Sequence, residues 1–415
     1  MFPVSISSRL SHSNADDCLT GQVIWFRTLA AVQPVRYFTI LREQVALGME
    51  LYYKNADVIV TNDYYDSELL VISFSPLVDE KHSPNQESGF GRNFFQSRKI
   101  SCIYVIPTWN HWYQYEYVKD AIELIRLVSR KFKKVVVYGV SMGGYAALKY
   151  GNYLECSDII SISPQAVITG EQADFDKRFS QFWEKIEFKS DAWLSEANQP
   201  MNTTVIYDRH HDLDNRHAEI VSTNIRHAKM VSLTFSGHEV FAVLNEAGIL
   251  SDFIFSLINS NSDLPQLLTL YRKSRHRSGV TWMYAAQNSA LRGRLTSAGR
   301  LYRKSVEVIE WRKKKGLTID QAKARMTLME YVAHCFKNNR YKEFLDTYEK
   351  FSENKIIKVD LSVKYLECGL NCNDKAIFLA ALKAYKDSGK EIVGAAKHLI
   401  RKAVDTNLIT QAELS

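Results

Sequence analysis

Between Val135 and Leu148 the chain reads VVVYGVSMGGYAAL. A β-branched and aromatic run, Val135–Tyr138, ends in Gly139-Val140-Ser141-Met142-Gly143, and a helix-forming segment, Tyr145–Tyr150, follows at once. No other stretch limits the possible folds as much. A serine on so sharp a turn stands above the end of a sheet strand, and residues as small as Gly139 and Gly143 let the strand and helix close around it. A hydroxyl presented in this way predicts a nucleophile, and so a serine ester hydrolase or an acyltransferase working through an acyl-enzyme at Ser141.

The flanking sequence alternates in kind. Strands are expected at Ala56–Val60, Leu69–Phe74, Ile100–Ile106, Val135–Tyr138, Asp158–Ser163, Thr203–Tyr207 and Val231–Phe235. An amphipathic helix is expected over Tyr117–Lys131, with Ala121, Leu124, Ile125 and Val128 on one face. Short apolar runs separated by helices imply an α/β fold with a mostly parallel sheet covered on both faces. Sites in such sheets lie at the carboxyl ends of the strands, where Ser141 falls.

A serine needs a base, and the base needs a carboxylate to hold its tautomer. Of 11 histidines, His238 alone lies just past the last expected strand, in Phe235-Ser236-Gly237-His238-Glu239-Val240, with a helix expected over Val240–Leu250. Three aspartates follow the strand Thr203–Tyr207: Asp208 at its end, Asp212 in the loop, and Asp214 before an expected helix Asn215–Ser222, where it would also serve as an N-cap. His210 and His211 adjoin them, but side-by-side histidines point apart and no second ligand cluster accompanies them, so no metal and no cofactor is expected. The backbone N–H of Met142 is the natural first oxyanion donor, and the loop after Leu69–Phe74, near Ser75, the second; Pro76 has no N–H to give. Trp109, His111, Trp112 and Tyr113 follow the strand Ile100–Ile106 on the same sheet edge. They suit either a substrate-binding wall or an aromatic cluster in the core. Gln165, past another strand end, is a further candidate for substrate binding.

The chain of 415 residues exceeds one ordinary domain, and 46% hydrophobic content supplies a full core. Net charge is −7 before residue 265 and +14 from there onward. The change of sign, with the polar stretch Asn259–Pro265, predicts an α/β domain over 51–260 and a separate helical domain over 265–415, with 1–50 adding edge strands. The six cysteines form no C-x-x-C pair, which fits reduced thiols. With no signal-like start and no long apolar run, a cytoplasmic protein without a membrane span is expected.

The motifs GVSMGGYAAL, YD-x5-D-x-x-HAE and SGHEV together resemble α/β-hydrolase-fold serine esterases and acyltransferases. FGRNFF, NHWYQ (Asn110–Gln114) and ISPQ (Ile162–Gln165) resemble a bacterial subgroup linked to surface-glycan or polysaccharide processing. The likeness covers roughly residues 65–255. It implies an acylated small molecule or glycan as substrate. Its D-x-x-H-A spacing places the acid at Asp214, with Asp212 second. The family's glycine after the oxyanion strand is replaced here by Ser75-Pro76.

Residues 265–415 carry helical spacing and almost no strand pattern. Arg294-Leu295-x-x-Ala298-x-x-x-Tyr302 recurs as Arg340-Tyr341-x-x-Phe344-x-x-x-Tyr348, and a third copy begins at Lys375-Ala376. This resembles tetratricopeptide-like helix pairs, which implies docking of a protein partner, here an acidic one. The basic spots Arg312-Lys313-Lys314-Lys315 and Arg272–Arg277 come with no nucleic-acid motif, so they read as solvated helix faces rather than a nucleic-acid surface.

Overall fold

The structure is a computed structural model, and it describes residues 53–78, 88–194, 202–259, 264–352 and 361–414. The edge strands expected within 1–50 fall outside these residues. Eight strands make one sheet in the order β1-β2-β4-β3-β5-β6-β7-β8, the order of an α/β-hydrolase sheet. The strands are β1 (Tyr53–Lys54), β2 (Val58–Asp63), β3 (Leu69–Phe74), β4 (Ser101–Pro107), β5 (Lys134–Val140), β6 (Asp158–Ile162), β7 (Asn202–Tyr207) and β8 (Lys229–Ser232). Only β2 runs against the others.

Strand β5 shows why such runs are apolar throughout. Val136 and Tyr138 join the core on one face of the sheet, while Val135 and Val137 join the core on the other. The helices Glu116–Ser129 and Met142–Gly151 cover the second face. The strand expected at Val231–Phe235 instead lies at Lys229–Ser232, because Phe235 takes a left-handed φ of 64° and turns the chain. The single helix expected over Val240–Leu250 is two, Val240–Ala247 and Leu250–Asn259, bent by 115° after Gly248 caps the first at φ 77°. Among the described residues no single helix is long and apolar enough to cross a membrane.

From Leu264 onward the described residues are helical. The repeat noted in the sequence marks helix starts. Left-handed Gly293, Asn339 and Asn373 each stand two residues before a helix, at Leu295, Tyr341 and Lys375. On that alignment the third copy is one residue out of the register read from the sequence.

One apolar cluster runs unbroken from the sheet into these helices: Ile160 and Val231, then Val240, Leu244 and Phe253, then Tyr271, Met283 and Tyr302. Each such buried side chain is worth about 2 kcal/mol, so the sheet and the first helices beyond it form one body. A third core, including Leu366, Phe378, Leu382 and Ile400, belongs to the last helices alone. Arg312, expected on a solvated face, is buried: its guanidinium donates to the carbonyls of Glu246 (2.6 Å) and Thr318 (2.8 Å). Glu246 in turn accepts from Ser278 at 2.7 Å. This polar knot pins the helix Leu295–Lys314 to the helix after β8.

Candidate active site

Ser141 sits between β5 and the helix Met142–Gly151 with φ 55° and ψ −118°, a conformation that costs a non-glycine residue about 1–3 kcal/mol. The turn is held by the Ser141 N–H, which donates to Ile162 O at 2.8 Å. A Cβ on Gly139 would lie 2.1 Å from Gly143 O, and one on Gly143 would lie 2.3 Å from Phe74 O. Both contacts are with backbone, so neither position has room for a side chain.

His238 arrives on the loop after β8. Its Nε2 is 3.0 Å from Ser141 Oγ, and its Nδ1 is 2.9 Å from Asp214 Oδ2 and 3.1 Å from Oδ1. Asp214 is 1% exposed. Burial alone would raise its pKa, but the neighbouring His238 and His211 rings more than offset this and hold the carboxyl well below the usual range. An ionised Asp214 can only accept, so the His238 proton belongs on Nδ1 and the Nε2 lone pair faces the serine.

The competing aspartates separate cleanly. Asp212 is exposed on the first turn of the helix Asp212–Asn224 and does not reach His238, so it is displaced as a candidate acid. Asp214 is not the N-cap that its position suggested. That role falls to His211, whose Nδ1 accepts from Asp214 N. Asp208 accepts from Gly237 N at 2.9 Å and His210 N at 2.9 Å, which fixes the loop that presents His238.

A second polar layer lies behind Asp214. Arg178, from the insertion between β6 and β7, places its Nη1 2.9 Å from Asp214 Oδ1 and its Nη2 2.7 Å from Asp176 Oδ2. Asp176 also accepts from His217 Nε2 at 3.0 Å. Burial pushes the Asp176 pKa up, but His217 and Arg178 outweigh it and bring the carboxyl well below its ordinary value; burial lowers that of His217. One cation therefore bridges two buried carboxylates. His217 lies one helical turn after Asp214, on the same face, which was the only readable hint. Asp191 fastens this insertion to the elbow helix, accepting from the Thr169 hydroxyl at 2.7 Å and from Tyr145 OH at 2.8 Å.

The other candidates divide. Gln165 is fully buried, with its side-chain Nε2 3.2 Å from Ser141 Oγ, so it touches the serine itself. Trp112 is buried against Phe179 and Trp183, and Phe179 lies 6.0 Å from the His238 ring. Trp112 thus backs the site without lining it. His111 and Tyr113 are not wall residues. His111 Nε2 pairs with Asp57 O at 2.9 Å, its Nδ1 accepts from Tyr113 N, and burial lowers its pKa to about 4. Tyr113 OH donates to Ser75 O at 2.9 Å. Left-handed φ values at Trp112 (49°) and Tyr113 (54°) turn these rings into the core. Trp109 packs on His111 and Tyr115 beside them.

Met142 N–H stands in the first turn of the elbow helix, next to the serine. Ser75 does not supply the second oxyanion donor, because its N–H continues the sheet ladder to Val105 O at 3.0 Å. Val78 N–H is taken by Asn110 Oδ1 at 2.8 Å. With Pro76 lacking a donor, Leu77 N–H is the uncommitted amide of that loop among the described residues.

The helical region reaches this site. Tyr284, on the helix Gly279–Leu291, packs edge-on against His211 at 5.7 Å, and a Cβ on Gly237 would fall 2.0 Å from its ring. Among the described residues no group of three or more His, Cys, Asp or Glu side chains converges as metal ligands would.

No family model and no curated protein matches the chain. Solved structures do match. The capsule O-acetyltransferase of Neisseria meningitidis serogroup A aligns with a TM-score of 0.40 and 15% identity, over 50% of this chain and 94% of its own. XC6422 of Xanthomonas campestris, an α/β serine hydrolase without a lid, aligns with a TM-score of 0.33 and 16% identity, over 51% and 95%. FphF, a fluorophosphonate-binding serine hydrolase of Staphylococcus aureus, aligns with a TM-score of 0.31 and 15% identity, over 44% and 89%.

Proposed function

We propose that the protein acts on an ester through an acyl-enzyme at Ser141, with water or a hydroxyl-bearing acceptor completing the reaction. The continuous chain Asp214–His238–Ser141, with links of 2.9 and 3.0 Å, carries this reading. His238 Nε2 takes the hydroxyl proton as Ser141 Oγ attacks the carbonyl carbon. Asp214 stabilises the imidazolium, and the Met142 and Leu77 amides receive the developing oxyanion. His238 then returns the proton to the departing alcohol. In the second half-reaction it deprotonates the incoming water or acceptor hydroxyl, which releases Ser141.

An acylated glycan is the substrate class we favour, and the sequence resemblance supports it. The aromatic segment does not, since His111 and Tyr113 are committed to the core. The same resemblance underlies a bacterial setting, and the start of the sequence, without a signal pattern, underlies a cytoplasmic one. We assign residues 265–415 first to completing the site through Tyr284, and only second to docking an acidic protein partner.

A fluorophosphonate probe tests the chemistry. It should label the native chain and spare Ser141→Ala. Failure of the native chain to react, while a p-nitrophenyl acetate assay also shows no turnover, would favour instead an interaction protein built on an inactive hydrolase fold.

A further inference from the structure

Several arginines in this molecule have carboxylate partners: Arg126 pairs with Glu123, Arg178 with Asp176 and Asp214, Arg340 with Glu343. One place gathers four arginines around a single hollow. A cavity of about 490 Å³ opens on the helical side of the loop that carries His238. Arg272, Arg275, Arg292 and Arg294 line it together with Phe235 and Trp282, and among the described residues no carboxylate does. Among the described residues Arg272, Arg292 and Arg294 have no ion-pair partner.

Gathering four cations in a concave site without counter-charge is unfavourable for an empty protein, and the low-dielectric wall focuses their field outward. Arg275 is already fixed for such use. Its Nη1 donates to Thr234 O at 2.9 Å, and its guanidinium lies 5.6 Å over the Phe235 ring and 5.8 Å over the Tyr271 ring. Planar guanidinium forks match phosphoryl oxygens two at a time, which an ammonium group cannot do. The aromatic floor suits a flat group attached to the phosphate, and the volume is that of a small-molecule site.

We propose that this cavity binds a ligand bearing a phosphate or diphosphate, held by Arg272, Arg292 and Arg294 around the fixed guanidinium of Arg275. The basic run Arg272–Arg277 is then half of a binding site whose other half comes from the turn at Arg292–Arg294. Asn288 lines both this cavity and a second groove, of about 440 Å³, that passes Tyr284 and His211. A ligand anchored by its phosphates can therefore extend along the groove toward the His238 loop.

Calorimetric titration of the full chain with inorganic pyrophosphate and, separately, with ADP tests the proposal. Both should bind, more weakly as salt is raised. The double variant Arg292→Ser/Arg294→Ser, two exposed positions, should lose roughly tenfold or more in affinity with a Tm that does not fall. ADP binding tighter than pyrophosphate identifies a nucleotide-type ligand, and equal affinity identifies the phosphoryl group alone as what is read. No binding of either probe, or equal binding by the double variant, overturns the proposal. Repeating the titration in Ser141→Ala, where binding should persist, keeps the result independent of the ester chemistry.

Discussion

Replacing Arg178 with methionine keeps an unbranched apolar stem and removes the guanidinium that sits between Asp176 and Asp214. Those two carboxylates are 0% and 1% exposed, and the arginine side chain is 23% exposed. Two unit charges about 4 Å apart are worth about 4 kcal/mol at an effective dielectric of about 20. Removing one member of a buried pair costs about 3–5 kcal/mol, because the other is left charged and dry. His217 still donates to Asp176, which softens the loss there, so about 3 kcal/mol is the expected cost at neutral pH. The fold should survive that. The pH dependence is more specific than the size. Both carboxyls are held below their ordinary value in the folded protein, so the stability they contribute is present above the carboxylate range and is lost as pH falls through their folded pKa values. Without Arg178 they take up protons at a higher pH, which relieves the variant before the native chain. The gap between the two proteins should therefore narrow from pH 7 to pH 4. Urea unfolding followed by circular dichroism at both pH values measures it. A loss below about 1 kcal/mol at pH 7, or a loss that stays constant down to pH 4, would refute the bridging role.

Two further pairs of substitutions probe the site. Asp214→Asn should lower kcat on an activated ester by about four orders of magnitude by freeing the wrong His238 tautomer, whereas Asp212→Asn on the exposed first turn should leave kcat unchanged; steady-state kinetics on the pair tells them apart. Gly237→Ala puts a methyl into the Tyr284 ring at a backbone φ of 57°, and should lower Tm and kcat together, with Tyr284→Ala in the same chain restoring part of the Tm lost.

The sheet was legible because its strands are buried on both faces and so carry unbroken apolar runs. Ser141 and His238 were legible as motif and chain order. The choice of Asp214 over Asp212 was not a matter of spacing from the strand. It depends on which side of a helix faces inward, and only the resemblance pointed to the aspartate that the His238 ring meets. His111 and Tyr113 show a similar limit. Lying past a strand end places a residue at the correct edge but says nothing of its direction, and consecutive left-handed φ values at Trp112 and Tyr113 reversed it. Ser75 was misjudged by one ladder bond, since β4 extends far enough to claim its N–H. Arg178 left no trace because its partners are Asp176, two residues away, and Asp214, 36 residues away, and no periodic pattern links them. The charge boundary near residue 260 described composition but hid the apolar cluster that crosses it.

That crossing bears on how such a chain can change over generations. A module that recombination can exchange must meet its neighbour at a surface with few shared side chains. Here Tyr284 fills the space that Gly237 leaves open, and Arg312 is satisfied by a carbonyl 66 residues earlier in the chain. Grafting a foreign helical region onto this sheet would leave an open space beside the His238 loop and lone polar groups around Glu246. The two halves, unlike in composition and opposite in charge, can only be inherited as one unit.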